Sequence, residues 1–167
     1  MLQMLVTPTR RTLIALAGLG SAVILLSAFG FQYLGGLAPC VMCLWQRWPH
    51  AAAIVLGAVG AVIPSAIIAA LGALSMIGNA GIALYHTGVE RDWWDGPNTC
   101  GQSAAQDLSS LSASALLDTS TGPQLVLCDQ VAWSMFGLSM ASWNGIACLV
   151  LAGIWIMGLR ARRPGAA

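Results

Sequence analysis

Four runs of about twenty apolar residues dominate this chain, each long enough to cross the hydrocarbon core of a bilayer as a helix. They cover about 12–34, 44–63, 66–85 and 137–159. The first, "TLIALAGLGSAVILLSAFGFQYL", is longer than the apolar segment of a signal peptide and is not followed by a small-x-small cleavage site, so it is read as a retained span. Pro64 and Ser65 break the second run from the third. Small residues are dense in all four, as close helix packing in lipid favours. Charged residues make up 8% of the chain, against about 25% in soluble domains. These features predict an all-α membrane protein, a four-transmembrane-helix bundle formed by one integral-membrane domain over residues 1–167. They exclude a soluble globular domain and a basic nucleic-acid-binding face.

The few charges orient the bundle. All seven basic residues are arginine, and Arg10, Arg11, Arg160, Arg162 and Arg163 flank the first and last runs. An excess of arginine marks the cytoplasmic side of a membrane protein, so both termini and the Pro64 turn are expected there. The six acidic residues all lie between Glu90 and Asp129. Two segments then face outward, about 35–43 and about 87–136. In the longer one, "DWWDGP" has the composition of an interfacial aromatic anchor. "SAAQDLSSLSASALL" spaces Ala104, Leu108, Leu111, Ala115 and Leu116 as a short helix lying on the membrane surface would.

Four of the five cysteines fall in these outer segments: Cys40 and Cys43 in the first, Cys100 and Cys128 in the second. Hydropathy and charge alone therefore put four thiols on one, oxidising, side. Four cysteines allow three pairings, of which the local one joins Cys40 to Cys43 and Cys100 to Cys128. A bridge between Cys100 and Cys128 alone reads equally well as an ordinary brace of a long loop. A Cys40–Cys43 bridge closes too small a ring to constrain the unfolded chain much, and C-x-x-C is the spacing of exchanging dithiols. A four-cysteine zinc site is disfavoured because the second pair lacks metal-ligand spacing. Cys148, midway down the fourth run, reads as packing.

"PCVMCLWQRWPH", residues 39–50, places polar groups where an apolar run begins. A helix starting near Cys43 would set that sulfur at a helix N-terminus, where amide dipoles favour a thiolate. Arg47 follows one turn deeper on the same face. An arginine just inside a membrane is costly and usually has a partner, here a thiolate or a reduced electron acceptor; the alternative is an arginine that snorkels to the headgroups. His50 lies on the Arg47 face and is assigned to packing or hydrogen bonding. His86, at the outer end of the third run, reaches the depth of Arg47 and is a candidate to hydrogen-bond a buried ligand. Two dithiol pairs on one side describe a redox relay, whose electrons need a sink. The chain has no C-x-x-C-H haem motif, iron–sulfur cysteine run or nucleotide fingerprint, which leaves a lipid-soluble quinone.

"PCVMCLWQR", "YHTGVERDWWDGPNTC", the isolated Cys128 in "LCDQ" and "FGLSMASWN" resemble the disulfide bond formation protein B (DsbB) family of bacterial inner membranes. The resemblance covers most of the chain, and the order of four cysteines, four spans and an arginine after the first pair is specific. It implies a thiol:quinone oxidoreductase that re-oxidises a periplasmic thioredoxin-like oxidase (DsbA-like) and passes electrons to ubiquinone or menaquinone. That relay is a known instance of kinetically maintained periplasmic oxidation. By resemblance, Cys100 is attacked by the reduced partner, Cys128 is its mate, and Cys40 and Cys43 re-oxidise that pair. Cys43 then faces the quinone, with Arg47, and His86 less specifically, beside it. A relative serving a dedicated substrate and a vitamin-K-epoxide-reductase-like protein share this chemistry. A scaffold or small channel with structural disulfides is the non-enzymatic alternative.

Overall fold

The computed structural model describes residues 8–97 and 127–161. Among them run four helices, α1 (Arg10–Tyr33), α2 (Val41–Val62), α3 (Ala66–Glu90) and α4 (Met140–Arg160), and a two-residue antiparallel ladder, β1 (Ser134–Met135) with β2 (Leu138–Ser139). The expected surface helix and Cys100 lie outside the described residues.

Each helix starts where a side chain can take over an unpaired amide. Thr9, Cys40, Ser65 and Ser139 are the N-caps, accepting from the backbone N–H of Thr12, Cys43, Ile68 and Ser142. Such caps satisfy donors that have no partner within the helix. The second helix therefore begins at Val41, three residues earlier than the sequence suggests, because the Cys40 sulfur itself supplies the cap. The third extends beyond residue 85 to Glu90, which puts His86 inside a helix and Glu90 one turn after it. The fourth begins at Met140, because Phe136 and Gly137 form the turn of the β1–β2 ladder, both at positive φ (54° and 75°). A two-residue hairpin turn of this hand matches strand twist. Among the described residues this ladder is the one departure from an all-helical architecture.

Three of the four helices, α1, α3 and α4, are long and apolar enough to cross a membrane, and the chain is read as a multi-pass membrane protein. The α2 helix is of similar length, but Gln46, Arg47, Pro49 and His50 occupy its first turns. The helices pack in a ring, α1 on α2, α2 on α3, α3 on α4 and α4 on α1. The core is small-residue packing around a few large side chains: Ile14, Ala17, Ala53, Ala69, Ala73, Met76, Ala152 and Trp155. At Gly18 the backbones of α1 and α2 meet; a Cβ there would lie 2.8 Å from Gly57 Cα. At Gly72 the Trp155 ring fills the space a side chain would need, 2.4 Å from the Cβ position. Close backbone approach is how helices gain contact energy where burial from water supplies little. At the opposite end from Cys40, the buried Arg10 Nε donates to Gly158 O at 3.0 Å, and its Nη2 reaches Leu159 O and Ala161 O. It thereby caps the last carbonyls of α4.

Candidate functional site

The start of α2 arranges the first cysteine pair. Cys40 Sγ accepts the Cys43 amide at 3.1 Å, and the two sulfurs are 2.8 Å apart. That spacing is shorter than unbonded sulfurs keep and longer than the roughly 2.05 Å of a disulfide. Cys40 is buried and Cys43 half-buried. In this geometry the proton stays on Cys40: its hydrogen bond to the Cys43 sulfur, with burial, raises its pKa above the ordinary thiol range. The same hydrogen bond lowers that of Cys43, opposed by burial and by Glu90, and aided more weakly by Arg47. The expectation of a helix N-terminus beside Cys43 is thus corrected in detail. Cys40 is the cap, and Cys43 is the third residue of the helix.

His86 is buried between the pair and the rest of the polar interior. Its Nε2 lies 3.4 Å from Cys40 Sγ and its Nδ1 2.9 Å from Gln46 Nε2. Glu90 Oε1 is 3.9 Å from Nε2, and the Glu90 carboxylate accepts from Ser139 at the start of α4. The backbone of Cys128 also hydrogen-bonds His86. Cys128 is fully buried and packs with Cys40, Met42 and Val89, with Cys43 at the margin of that cluster. Its sulfur is disulfide-bonded. The structure therefore brings the first cysteine pair and Cys128 together, although 83 residues of sequence lie between Cys43 and the segment 127–133 that carries Cys128 into place.

A cavity of about 400 Å³ opens beside Cys43. Its walls include Ile24, Phe31, Cys43, Arg47, His86 and Trp133. Most of that surface is apolar, and the volume is that of a site for a small organic molecule. Arg47 makes no hydrogen bond or ion pair among the described residues. Its guanidinium stacks over Phe29, 4.8 Å from the ring centroid, which leaves its N–H groups available to the cavity. An apolar cavity with a guanidinium and a thiol on its wall suits a mostly apolar molecule carrying hydrogen-bond acceptors.

Of the residues singled out from the sequence, Cys40, Cys43, Arg47 and His86 line this one cavity, and Cys128 sits against Cys40. Cys100 lies outside the described residues. His50 bonds Asn144 on α4, at 2.9 Å from Oδ1, as its hydrogen-bonding assignment anticipated. Cys148 is buried in the core, with His50 Nε2 3.7 Å from its sulfur. Gln46, Glu90 and Asn144 are site residues that the sequence reading passed over. The available signal was polarity inside an apolar run, where each such group needs a partner.

The family model described as Disulfide bond formation protein DsbB matches residues 10–158. Disulfide bond formation protein B of Hahella chejuensis (strain KCTC 2396) is 29% identical over 164 residues, covering 93% of this chain and 96% of that protein. Disulfide bond formation protein B of Actinobacillus pleuropneumoniae serotype 5b (strain L20) is 28% identical over 80% of this chain and 76% of its own length. Disulfide bond formation protein B 2 of Pseudomonas savastanoi pv. phaseolicola is 29% identical over 85% and 83%. No solved structure matches the chain at a comparable level.

Proposed function

The chain belongs to the DsbB family of membrane disulfide-generating oxidoreductases, and from that premise we propose that it is a thiol:quinone oxidoreductase re-oxidising a DsbA-like thioredoxin-fold protein. A quinone supplies an acceptor for two electrons and two protons, the number released when two thiols close to one disulfide. The observation that carries this reading is the Cys40–Cys43 pair on the wall of an apolar cavity, beside an arginine with no hydrogen-bond acceptor among the described residues.

In this reading α2 is the fourth span, both termini are cytoplasmic, and the cysteines face the periplasm of a bacterial inner membrane. A thiolate of the reduced partner attacks Cys100 in the Cys100–Cys128 disulfide, forming a mixed disulfide and releasing Cys128 as a thiolate. The partner's second thiol breaks it and leaves as a disulfide, so that Cys100 and Cys128 become the dithiol. Exchange with the Cys40–Cys43 disulfide then restores the outer bridge and moves the two electrons inward. Burial of Cys128 against Cys40 supports that exchange, because thiolate attack needs the sulfurs within reach. Cys43 is left as the thiolate facing the cavity. Arg47 offers charge where negative charge develops on the acceptor, in a setting where such interactions are weakly screened. His86 holds Cys40 from the other side.

The test is steady-state oxidation of a reduced thioredoxin-fold partner by detergent-purified protein across a quinone titration. Saturable, quinone-dependent oxidation that vanishes in Cys43→Ala is the expected result. Oxidation independent of quinone would refute the reading. Reporter fusions after Arg160 and at Pro64 should read cytoplasmic, and fusions near Gly88 periplasmic; a periplasmic C-terminus would overturn the placement of the thiols.

A further inference from the structure

We infer that Gln46, Asn144 and His50 form a positioning chain that fixes the tautomer of His86 and aims its Nε2–H at the Cys40 sulfur. The inference rests on the reading of Cys40 and Cys43 as the inner redox pair.

The chain is continuous through three helices. His50 Nε2 on α2 is 2.9 Å from Asn144 Oδ1 on α4, and Asn144 Nδ2 is 2.7 Å from Gln46 Oε1 on α2. Gln46 Nε2 is 2.9 Å from His86 Nδ1 on α3, and His86 Nε2 is 3.4 Å from Cys40 Sγ. Asn79 Nδ2 donates to Gln46 O at 3.1 Å and steadies the residue at the centre. Each amide has one donor end and one acceptor end, so the bonds share one direction. With His50 donating, Asn144 donates to Gln46, Gln46 donates to Nδ1 of His86, and Nε2 of His86 carries the proton.

The opposite direction is also self-consistent, and His50 decides between the two. Its Nδ1 is buried without a partner among the described residues. When Nε2 donates, that Nδ1 is a bare lone pair. In the reverse direction it would be a buried N–H with no acceptor, which native structures avoid more strictly. The forward direction thus ends on Cys40, which in turn donates to Cys43. Carboxamides do not readily pass protons, so the chain orients and polarises; it does not conduct. The other titratable or charged groups facing Cys43 are Cys40 and Arg47 on α2 and His86 and Glu90 on α3. Glu90 Oε1, 3.9 Å from Nε2, favours the same Nε2–H form from the other side of the ring, and at Nδ1 the group that acts is Gln46.

Two readouts on the full-length protein in detergent test this. The first is the tautomer of His86 from the ¹⁵N chemical shifts of labelled histidine. The unmodified protein should show Nε2–H, and Asn144→Leu should show a mixture. The second is the pH midpoint for iodoacetamide alkylation of Cys43 in the reduced protein, located by mass spectrometry. Asn144→Leu and His50→Leu should raise that midpoint by roughly half a unit, as loss of polarised donors feeding a thiolate would. His50→Gln keeps a donor towards Asn144 and should stay near the unmodified midpoint, which a proton-carrying histidine would not. An Nδ1–H tautomer for His86 in the unmodified protein would overturn the inference. So would an unchanged midpoint in both Asn144→Leu and His50→Leu. Quinone turnover enters neither readout, so failure of the proposed function, seen as absent turnover in the unmodified protein, is distinguishable from failure of this inference.

Discussion

The Cys40 sulfur caps the helix that carries Cys43, accepting the Cys43 amide at 3.1 Å while donating to the Cys43 sulfur 2.8 Å away. One side chain thus does the work of a helix cap and of a thiolate donor. The C-x-x-C spacing permits this because the cap and the third helical residue lie on the same turn.

The first prediction follows from the protonation order of this pair. The pKa of Cys43 is lowered by the hydrogen bond from Cys40, so its thiolate persists below the ordinary thiol range and is lost as pH falls through the lowered value. Alkylation of Cys43 in the reduced protein should therefore have a pH midpoint below the ordinary thiol value of about 8.5. Cys40→Ala removes the donor and should move that midpoint upward. Mass spectrometry of iodoacetamide adducts across pH checks both. Equal labelling of Cys40 and Cys43 at every pH would contradict the protonation order.

Arg47→Met is expected to weaken quinone use, raising its KM or lowering kcat, while leaving mixed-disulfide formation at Cys100 unchanged. Arg47→Lys should restore part of the activity, because an ammonium lacks the planar fork of donors. Phe29→Leu removes only the ring under the guanidinium, at a cost of about 0.5–1 kcal/mol, and should act several-fold more weakly than Arg47→Met. Kinetics across a quinone titration separate the three. Unchanged quinone parameters in Arg47→Met would place the electron exit elsewhere.

The outer exchange is checked by trapping. Cys128→Ala should leave the Cys100 thiolate able to open the disulfide of an oxidised thioredoxin-fold partner and hold it as a mixed disulfide, which persists when the partner's second cysteine, the thiol that would resolve it, is replaced by alanine. Cys148→Ala should leave disulfide formation intact, since that thiol is buried in the core away from the cavity wall. Non-reducing gel analysis of cells carrying each variant reads both. Loss of activity in Cys148→Ala with retention in Cys100→Ala would reverse these assignments.

Helix packing gives a prediction independent of chemistry. Gly18→Leu pushes a side chain into Gly57, whose Cα would lie 2.8 Å from the new Cβ. Overpacking of this kind costs roughly 1–3 kcal/mol, so the thermal midpoint in detergent should fall by several degrees. Gly30→Ala on the same helix meets nothing within 4 Å and should be neutral or slightly stabilising. Equal loss in both variants would mean that the α1–α2 contact does not depend on Gly18.

Hydropathy sufficed for the helices. Apolar runs of span length fold into helices in lipid because every backbone polar group must be satisfied within the segment, so α1, α3 and α4 were legible to within a few residues at most ends. Starts and stops were less so, since they turn on single side chains: Cys40 acting as a cap moved α2 forward, and the Phe136–Gly137 turn delayed α4. The candidate site was legible where its residues are neighbours in sequence, as Cys40, Cys43 and Arg47 are along one face of α2. His86 was placed by depth alone, which is why its function was the least defined.

Composition and order along the chain determined that α1 to α4 are helices and that α1, α3 and α4 are apolar over the length of a membrane span, and they set Cys40 and Cys43 at the C-x-x-C spacing. Only the tertiary structure decided which polar groups meet. Gln46, Asn144 and His50 are single polar residues within apolar runs, and sequence spacing within one helix says nothing about what a second or third helix presents at the same depth. Their pairing depends on the rotation and offset of α2, α3 and α4, and those are fixed by close contacts such as Trp155 on Gly72. A buried amide without a partner is costly, so that packing and the polar chain select one another.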